Sequence, residues 1–270
     1  MTICLSVKVA DGLVLAADSM ATLIGSVNTP QCIQTHVLKT YTHANKLTRF
    51  KQSPIGIMFW GAGAIRARSI QSLIMEFEFG AVADGTSVRA VAGELVEFLR
   101  SPYNAAFFGG NGPELGVYVG GYPAGRFFPE AYVSVFPNAV PLREIEPDVN
   151  GQPRFGVNWF GQERPIFRLM KGYDPLAMDE LVKRGAPAPV VRQWMDDNVG
   201  FMPLVIEGMP IQDAIELASF LAEVTIGWSR FAAGAAACGG DVDIAVITPA
   251  RFGWASRKRW PMLGDDEHDG

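Results

Sequence analysis

Histidine and cysteine are scarce in this sequence, with three of each among 270 residues. Cys4, Cys32 and Cys238 have no metal-ligand spacing and make no even set for disulfides. They suit a reducing compartment, and the sequence predicts neither metal nor cofactor. His36 and His43 share one polar, Thr-rich stretch, and His268 lies close to the end. No G-x-S-x-G accompanies them, which argues against a serine hydrolase with a Ser-His-Asp triad. A G-x-x-x-x-G-K-[ST] nucleotide loop is also missing. No run approaches the roughly 18 apolar residues of a membrane span. The opening residues, MTICLSVKVADG, lack the basic region and long apolar stretch of a signal peptide. A cytoplasmic protein with no membrane partner is expected. Charged residues make up 19% of the chain and the net charge is −5, which argues against a nucleic-acid partner.

What is present is apolar and patterned. Hydrophobic residues make up 49%, enough for a sizeable core. Ile3, Leu5, Val7 and Val9 alternate with Cys4, Ser6 and Lys8, the period of a half-buried strand. Asp11-Gly12 supplies a tight turn, and residues 13–17 return as the partner strand, ending at Asp18-Ser19. Residues 20–45 read as a long loop or irregular hairpin. Residues 46–50 and 55–60 read as a strand pair across Gln52-Ser53-Pro54.

Two helices follow. One carries Ile70, Leu73, Ile74 and Phe77, and the other Val88, Val91, Ala92, Leu95 and Leu99. Residues 115–121 and 132–135 read as strands, with Phe127-Phe128 as a further candidate. Residues 141–153 read as a loop, 158–171 are ambiguous, and 178–183 are helical. The clearest helix runs over 210–226, with Pro210 in its first turn, and residues 242–247 form a late strand. The basic cluster Arg251, Arg257, Lys258 and Arg259 and the acidic residues Asp265, Asp266, Glu267 and Asp269 read as solvated ends. Without an internal repeat or a linker, residues 1–264 are expected to form one domain and 265–270 an acidic tail. The grouping of strands and helices suggests an α/β (α+β) fold of two stacked sheets with helices outside, a four-layer αββα sandwich.

Thr2 is the first residue that can carry chemistry. Once Met1 is removed, its α-amino group, which titrates near 8, lies within reach of its own hydroxyl and can serve as the base. Asp18 ends the strand paired with the first one, so the two residues fall near the same end of the hairpin. Lys46 begins a later strand. A cation close to the α-amino group disfavours the ammonium form and leaves more free base near pH 7. Alone, each also reads blandly: a small second residue, a strand-end acid and an exposed lysine.

In order along the chain stand Thr2-Ile3, then Gly12 through Ser19, Asn45-Lys46-Leu47, and Met58-Phe59-Trp60-Gly61-Ala62-Gly63. Residues 114–121, 212–218 and 238–248 add three further segments. Together they resemble the landmarks of proteasome β-type subunits and their bacterial relatives of the HslV and Anbu types. The resemblance implies an Ntn-hydrolase fold, a homo-oligomeric ring, and hydrolysis of peptide or protein substrates by a threonine-type endopeptidase. It casts Thr2 as nucleophile, Asp18 and Lys46 as its acid and lysine, and the backbone N–H near Trp60-Gly61 as the oxyanion donor. Met58 would line the pocket for the residue before the scissile bond. Whether an unfoldase ATPase is a partner stays open.

The sequence also departs from that pattern. Ala235 falls where many active members carry Asp, and Cys238 where they carry Ser. No serine stands at residues 172–174, and Trp60 replaces a usual glycine. Residues 20–45 and 185–209 are longer than in compact members. Two alternatives therefore stand beside the peptidase: an Ntn amidohydrolase of small substrates, and a catalytically silent assembly protein.

Overall fold

The computed structural model describes residues 2–28, 33–80, 87–107, 111–137, 142–198 and 203–258. The expected acidic tail, Arg259 and Cys32 lie outside them. The protein is a mixed α/β structure whose two large sheets are antiparallel throughout.

The first sheet contains β1 (Ile3–Val9), β2 (Gly12–Asp18), β12 (Gly156–Gly161), β13 (Val242–Ile247) and β14 (Phe252–Ser256), in the order β12-β1-β2-β13-β14. The second contains β5 (Leu47–Arg49), β6 (Ile55–Gly61), β9 (Leu115–Gly121), β10 (Glu130–Phe136) and β11 (Arg143–Glu144), in the order β11-β10-β9-β6-β5. Strand β14 and the short β11 carried no periodic signal. The ambiguous residues 158–171 divide between β12 and a helix, α3 (Arg164–Lys171).

Three apolar cores hold these elements. One joins the outer face of the second sheet, through Ile57 and Phe59, to α1 (Ile70–Phe79) and α2 (Val88–Ala106). Both helices start at serine caps, Ser69 and Ser87, whose side chains accept the N–H three residues on. A second core, with Cys4, Leu15, Met58, Trp60 and Tyr118, lies between the sheets. The third joins Ile3, Leu5 and Val7 to α3 and to α6 (Ile211–Phe231). Pro210 caps α6 instead of entering its first turn.

This arrangement corrects the half-buried reading of β1. All seven of its residues are buried, because helix packs on one face and the other sheet on the opposite face. Lys8 is buried with them, donating to the Glu146 carbonyl at 3.1 Å. Lys258 was expected in solvent. It is instead buried in an ion pair with Asp243, which also accepts its backbone N–H at 2.9 Å.

Within residues 20–45, β3 (Ala21–Asn28) and β4 (Ile33–Tyr41) pair as a two-stranded ribbon. A short ribbon of β7 (Ala64–Ile65) and β8 (Arg68–Ser69) precedes α1. Phe127 and Phe128 are exposed and lie outside any strand. Helix α4 (Pro175–Lys183) leads to α5 (Ala188–Asn198). No helix among the described residues is long and apolar enough to cross a membrane.

Candidate active site

Asp18 is the last residue of β2, and pairing with β1 sets it beside the start of the chain. Its side chain has no exposure. Oδ1 accepts the Ile3 N–H at 3.1 Å and the Lys46 ammonium at 2.7 Å. Oδ2 accepts the N–H groups of Met20 at 3.2 Å and Gly239 at 2.9 Å. Four donors satisfy both oxygens, so the carboxylate is a fixed negative anchor rather than a base. The first of these bonds comes from the peptide that joins Thr2 to Ile3. Lys46 is itself 4% exposed. The structure thus joins Asp18 and Lys46 directly, and fixes the backbone one peptide from Thr2.

Thr2 is 3% exposed. Its carbonyl accepts the Gln162 N–H at 2.7 Å, just past the end of β12. Gly161 makes this closure possible. Its φ is +89°, and a Cβ there would stand 2.0 Å from the Thr2 oxygen.

The loop that delivers Lys46 is pinned by Ser19. The Ser19 hydroxyl donates toward the carbonyls of Thr42 and Asp241, both at 2.8 Å, and its carbonyl accepts the Ala44 N–H at 2.8 Å. Ser19 also donates its N–H to the Gly239 carbonyl at 3.2 Å. Three segments distant in sequence therefore meet at one residue. Chemistry-based reading passed over Ser19 because its role is purely positional, and the one signal was its place after Asp18.

Strand β6 supplies the facing wall. The Phe59 N–H donates to the Lys46 carbonyl at 3.1 Å, and the Ala62 N–H to the Glu114 carbonyl at 2.7 Å. Peptide groups alternate in direction along an extended strand. The Gly61 N–H therefore points to the Lys46 side, and the Trp60 N–H points to β9. Of the two, the Gly61 N–H is the one on the Lys46 side. Its φ is +83°, and a Cβ would stand 2.2 Å from the Glu114 oxygen.

Trp60 and Met58 face the opposite way from Phe59, into the core between the sheets. The Trp60 ring stacks on Phe160 at 4.7 Å and donates its indole N–H to Glu114 Oε1 at 3.1 Å. It fills the space between β6 and β12 close to Thr2. Met58 is fully enclosed and offers no surface to a ligand in this conformation, so the expected pocket-lining role lacks an opening.

Neither described cysteine is poised to react. Burial pushes the Cys4 thiol far up, with Lys46 only partly opposing it. Burial and then Asp18 raise Cys238 to about 11. Cys238 instead donates its N–H to the Ser229 hydroxyl at 3.2 Å, and the same hydroxyl accepts the Ala237 N–H at 2.6 Å. Burial, and then the neighbouring Glu114, raise the Glu163 carboxyl. No cluster of His, Cys, Asp and Glu suited to a metal occurs among the described residues.

Two solved structures superpose on nearly the whole chain. The first is Anbu (ancestral beta-subunit) from Yersinia bercovieri, with a TM-score of 0.52, 14% identity, and coverage of 95% of this chain and 88% of that one. The second is an Anbu (Gly-1) mutant from Hyphomicrobium sp. strain MC1, with a TM-score of 0.52, 15% identity, and coverage of 99% and 89%. The chain has the Anbu fold. Neither a family model nor a curated protein matches the sequence. At these identities the likeness to Anbu is one of fold. It supports the resemblance to proteasome-like proteins seen in the order of the motifs, and is independent of the chemistry at Thr2.

Proposed function

We propose that this Anbu-like protein is an N-terminal-nucleophile hydrolase that cleaves amide bonds in peptides, with Thr2 as nucleophile after removal of Met1. The observation that carries the reading is the buried Lys46–Asp18 pair, locked by Asp18 to the Ile3 N–H next to Thr2. We read the three cores as the contacts of a four-layer αββα sandwich, in one domain, assembled as a homo-oligomeric ring.

The chemistry runs through one residue. The freed Thr2 α-amine takes the proton of its own hydroxyl as Oγ attacks the substrate carbonyl carbon. Lys46 keeps the amine in its free-base form by like-charge repulsion. The Gly61 N–H holds the developing oxyanion, a role whose loss slows comparable enzymes roughly 10²–10³-fold. The amide C–N bond then breaks, the leaving amine takes the proton, and an ester on Oγ remains. Water, losing its proton to the Thr2 α-amine, attacks the ester. The acid product leaves and Oγ regains its proton.

A small-amide substrate is the second reading. The Trp60–Phe160 stack favours it, because it fills space between the sheets beside Thr2. A catalytically silent assembly protein is the third, motivated by Ala235 and Cys238.

One experiment separates them. Intact mass is measured before and after treatment with a peptidyl epoxyketone, which needs both the free amine and the hydroxyl. Hydrolysis of fluorogenic peptides and of small amides is followed in parallel. Loss of Met1, one adduct that disappears in Thr2→Ala, and peptide cleavage are expected. Cleavage of small amides alone selects the second reading. Retained Met1, or no adduct and no turnover, leaves the silent assembly protein.

A further inference from the structure

From Met20 to Asn45 the chain contains no Asp or Glu and a single Lys, in a protein whose net charge is −5. Most of this stretch is the ribbon of β3 and β4, inserted between Asp18 and Lys46. Its base is clamped at Ser19, whose hydroxyl donates to the Thr42 carbonyl at 2.8 Å and whose carbonyl accepts the Ala44 N–H at 2.8 Å. Neither strand pairs with any other strand among the described residues.

The ribbon is apolar on both faces. Ala21 pairs with Tyr41, and Leu23 lies two residues on, so Leu23 and Tyr41 share a face. Leu38 joins them, because a Cβ on Gly25 would meet its side chain at 3.1 Å. Ile24 and Val37 pair directly on the other face. All five side chains are exposed, from 42% at Val37 to 62% at Leu38. Strands that are apolar on both faces belong between covering layers, and a two-stranded ribbon alone in water is marginally stable at best.

The two edges of the ribbon differ. Antiparallel pairing leaves every second N–H and C=O of each strand turned outward. Along β4, Leu38 is an extra residue, since Leu23 pairs with Lys39 and Ile24 with Val37. That bulge, with Lys39 beside it, protects the β4 edge from further pairing. Strand β3, with the sequence ATLIGSVN, has no bulge, proline or charge. An edge without these protections is a template for another strand. Its lack of charge lets it face its own copy without repulsion, and a two-fold axis needs only one such surface.

We propose that the β3 edge is a self-association site, pairing antiparallel with β3 of a second copy about a two-fold axis near Ile24-Gly25, so that two ribbons make one four-stranded sheet. This contact rests on the homo-oligomer proposed above, of which it names one interface, and is independent of the chemistry at Thr2. The five exposed side chains amount to roughly 500 Å2, over half of the ~800 Å2 that each partner buries in a standard interface.

The test uses the full chain and sedimentation velocity at micromolar concentration. The native chain is expected to associate. Leu23→Lys together with Ile24→Lys is expected to lower the particle mass about twofold or more. The far-ultraviolet circular dichroism is expected to stay unchanged, because both side chains are already half in solvent. Leu38→Lys, more exposed but on β4, is expected to keep the native mass. In a Cys32→Ser background, Ile24→Cys is expected to form a disulfide between copies under oxidation, and Val37→Cys is not. A monomeric native chain overturns the proposal. So does an unchanged mass in the double variant, an equal loss of mass in Leu38→Lys, or equal cross-linking through Val37→Cys. Epoxyketone labelling of the same samples reads Thr2 separately. Labelling of a monomer keeps the chemistry and removes this contact, and association without labelling does the reverse.

Discussion

The Lys46 ammonium lies 2.7 Å from Asp18 Oδ1, and the two side chains are 5% and 0% exposed. Such a pair does little for stability as a whole, because both charges lose hydration, but removing one member is costly. Asp18 keeps three backbone donors whatever happens to Lys46, which softens the loss.

Lys46→Ala is therefore expected to destabilise the fold by about 3 kcal/mol, the lower end for breaking a buried pair. Asp18→Asn is expected to cost at least as much, since its amide places hydrogens against N–H groups that Oδ1 and Oδ2 now accept. Urea denaturation of both variants checks this. Lys46→Ala is also expected to lose epoxyketone labelling under conditions where it remains folded. A destabilised variant that still labels fully would remove Lys46 from the proposed chemistry.

Gly61→Ala combines a strained backbone with a collision. At φ +83° an L side chain costs roughly 1–2 kcal/mol, and the added Cβ would lie 2.2 Å from a backbone oxygen. The expected loss is about 2–4 kcal/mol by urea denaturation. Turnover is expected to fall by at least 10² because the N–H must shift. Gly63→Ala is the control. It has open space around the added methyl, and both quantities should stay close to those of the native chain.

Cys4 and Cys238 are expected to resist alkylation in the native protein. The reactive form of a thiol is the thiolate, and burial raises both groups. In a Cys32→Ser background, iodoacetamide at pH 8 should add nothing to the folded chain and two groups in denaturant, as read by intact mass. Rapid native labelling would contradict the closed packing around both residues.

Glu78 should make stability depend on pH. Its carboxyl is half-buried and raised from 4.5 to about 7, by burial first, with Lys51 opposing. The folded chain therefore holds this proton more tightly than the unfolded chain does. Stability from this group is fully present below pH 4.5 and is lost as pH rises towards 7. Discounted for solvent screening, the change amounts to about 1 kcal/mol. Glu78→Gln should flatten that part of the profile, measured by denaturation at pH 5 and pH 7.5.

Much of the scaffold was legible because local pattern and global packing agree. The stripe from Ile70 to Phe77 and the stripe from Val88 to Leu99 lie where period puts them, while the first hairpin turns one residue earlier than expected, at Ala10-Asp11, with Gly12 opening β2. The reading failed where one face gave only half of the environment. Alternation in β1 showed polar and apolar positions, yet Ser6 and Lys8 are buried because a second sheet covers them. Lys258 looked solvated in a basic run, because its partner Asp243 is fifteen residues earlier.

The sequence by itself determined the first hairpin, the helices around Ile70–Phe77, Val88–Leu99 and Ile211–Ile226, and the late strand, together with the scarcity of side chains suited to other hydrolytic chemistries and the candidates Thr2, Asp18 and Lys46. Periodicity and residue type are local properties, and they survive without knowledge of the fold. Only the tertiary structure decided that Asp18 is enclosed by four donors, that Gly61 rather than Trp60 turns its N–H to the Lys46 side, and that Lys258 is buried against Asp243. Each of these depends on pairing between segments far apart in the chain. Hydrogen-bond direction and burial are fixed by those pairings, and no single segment encodes them.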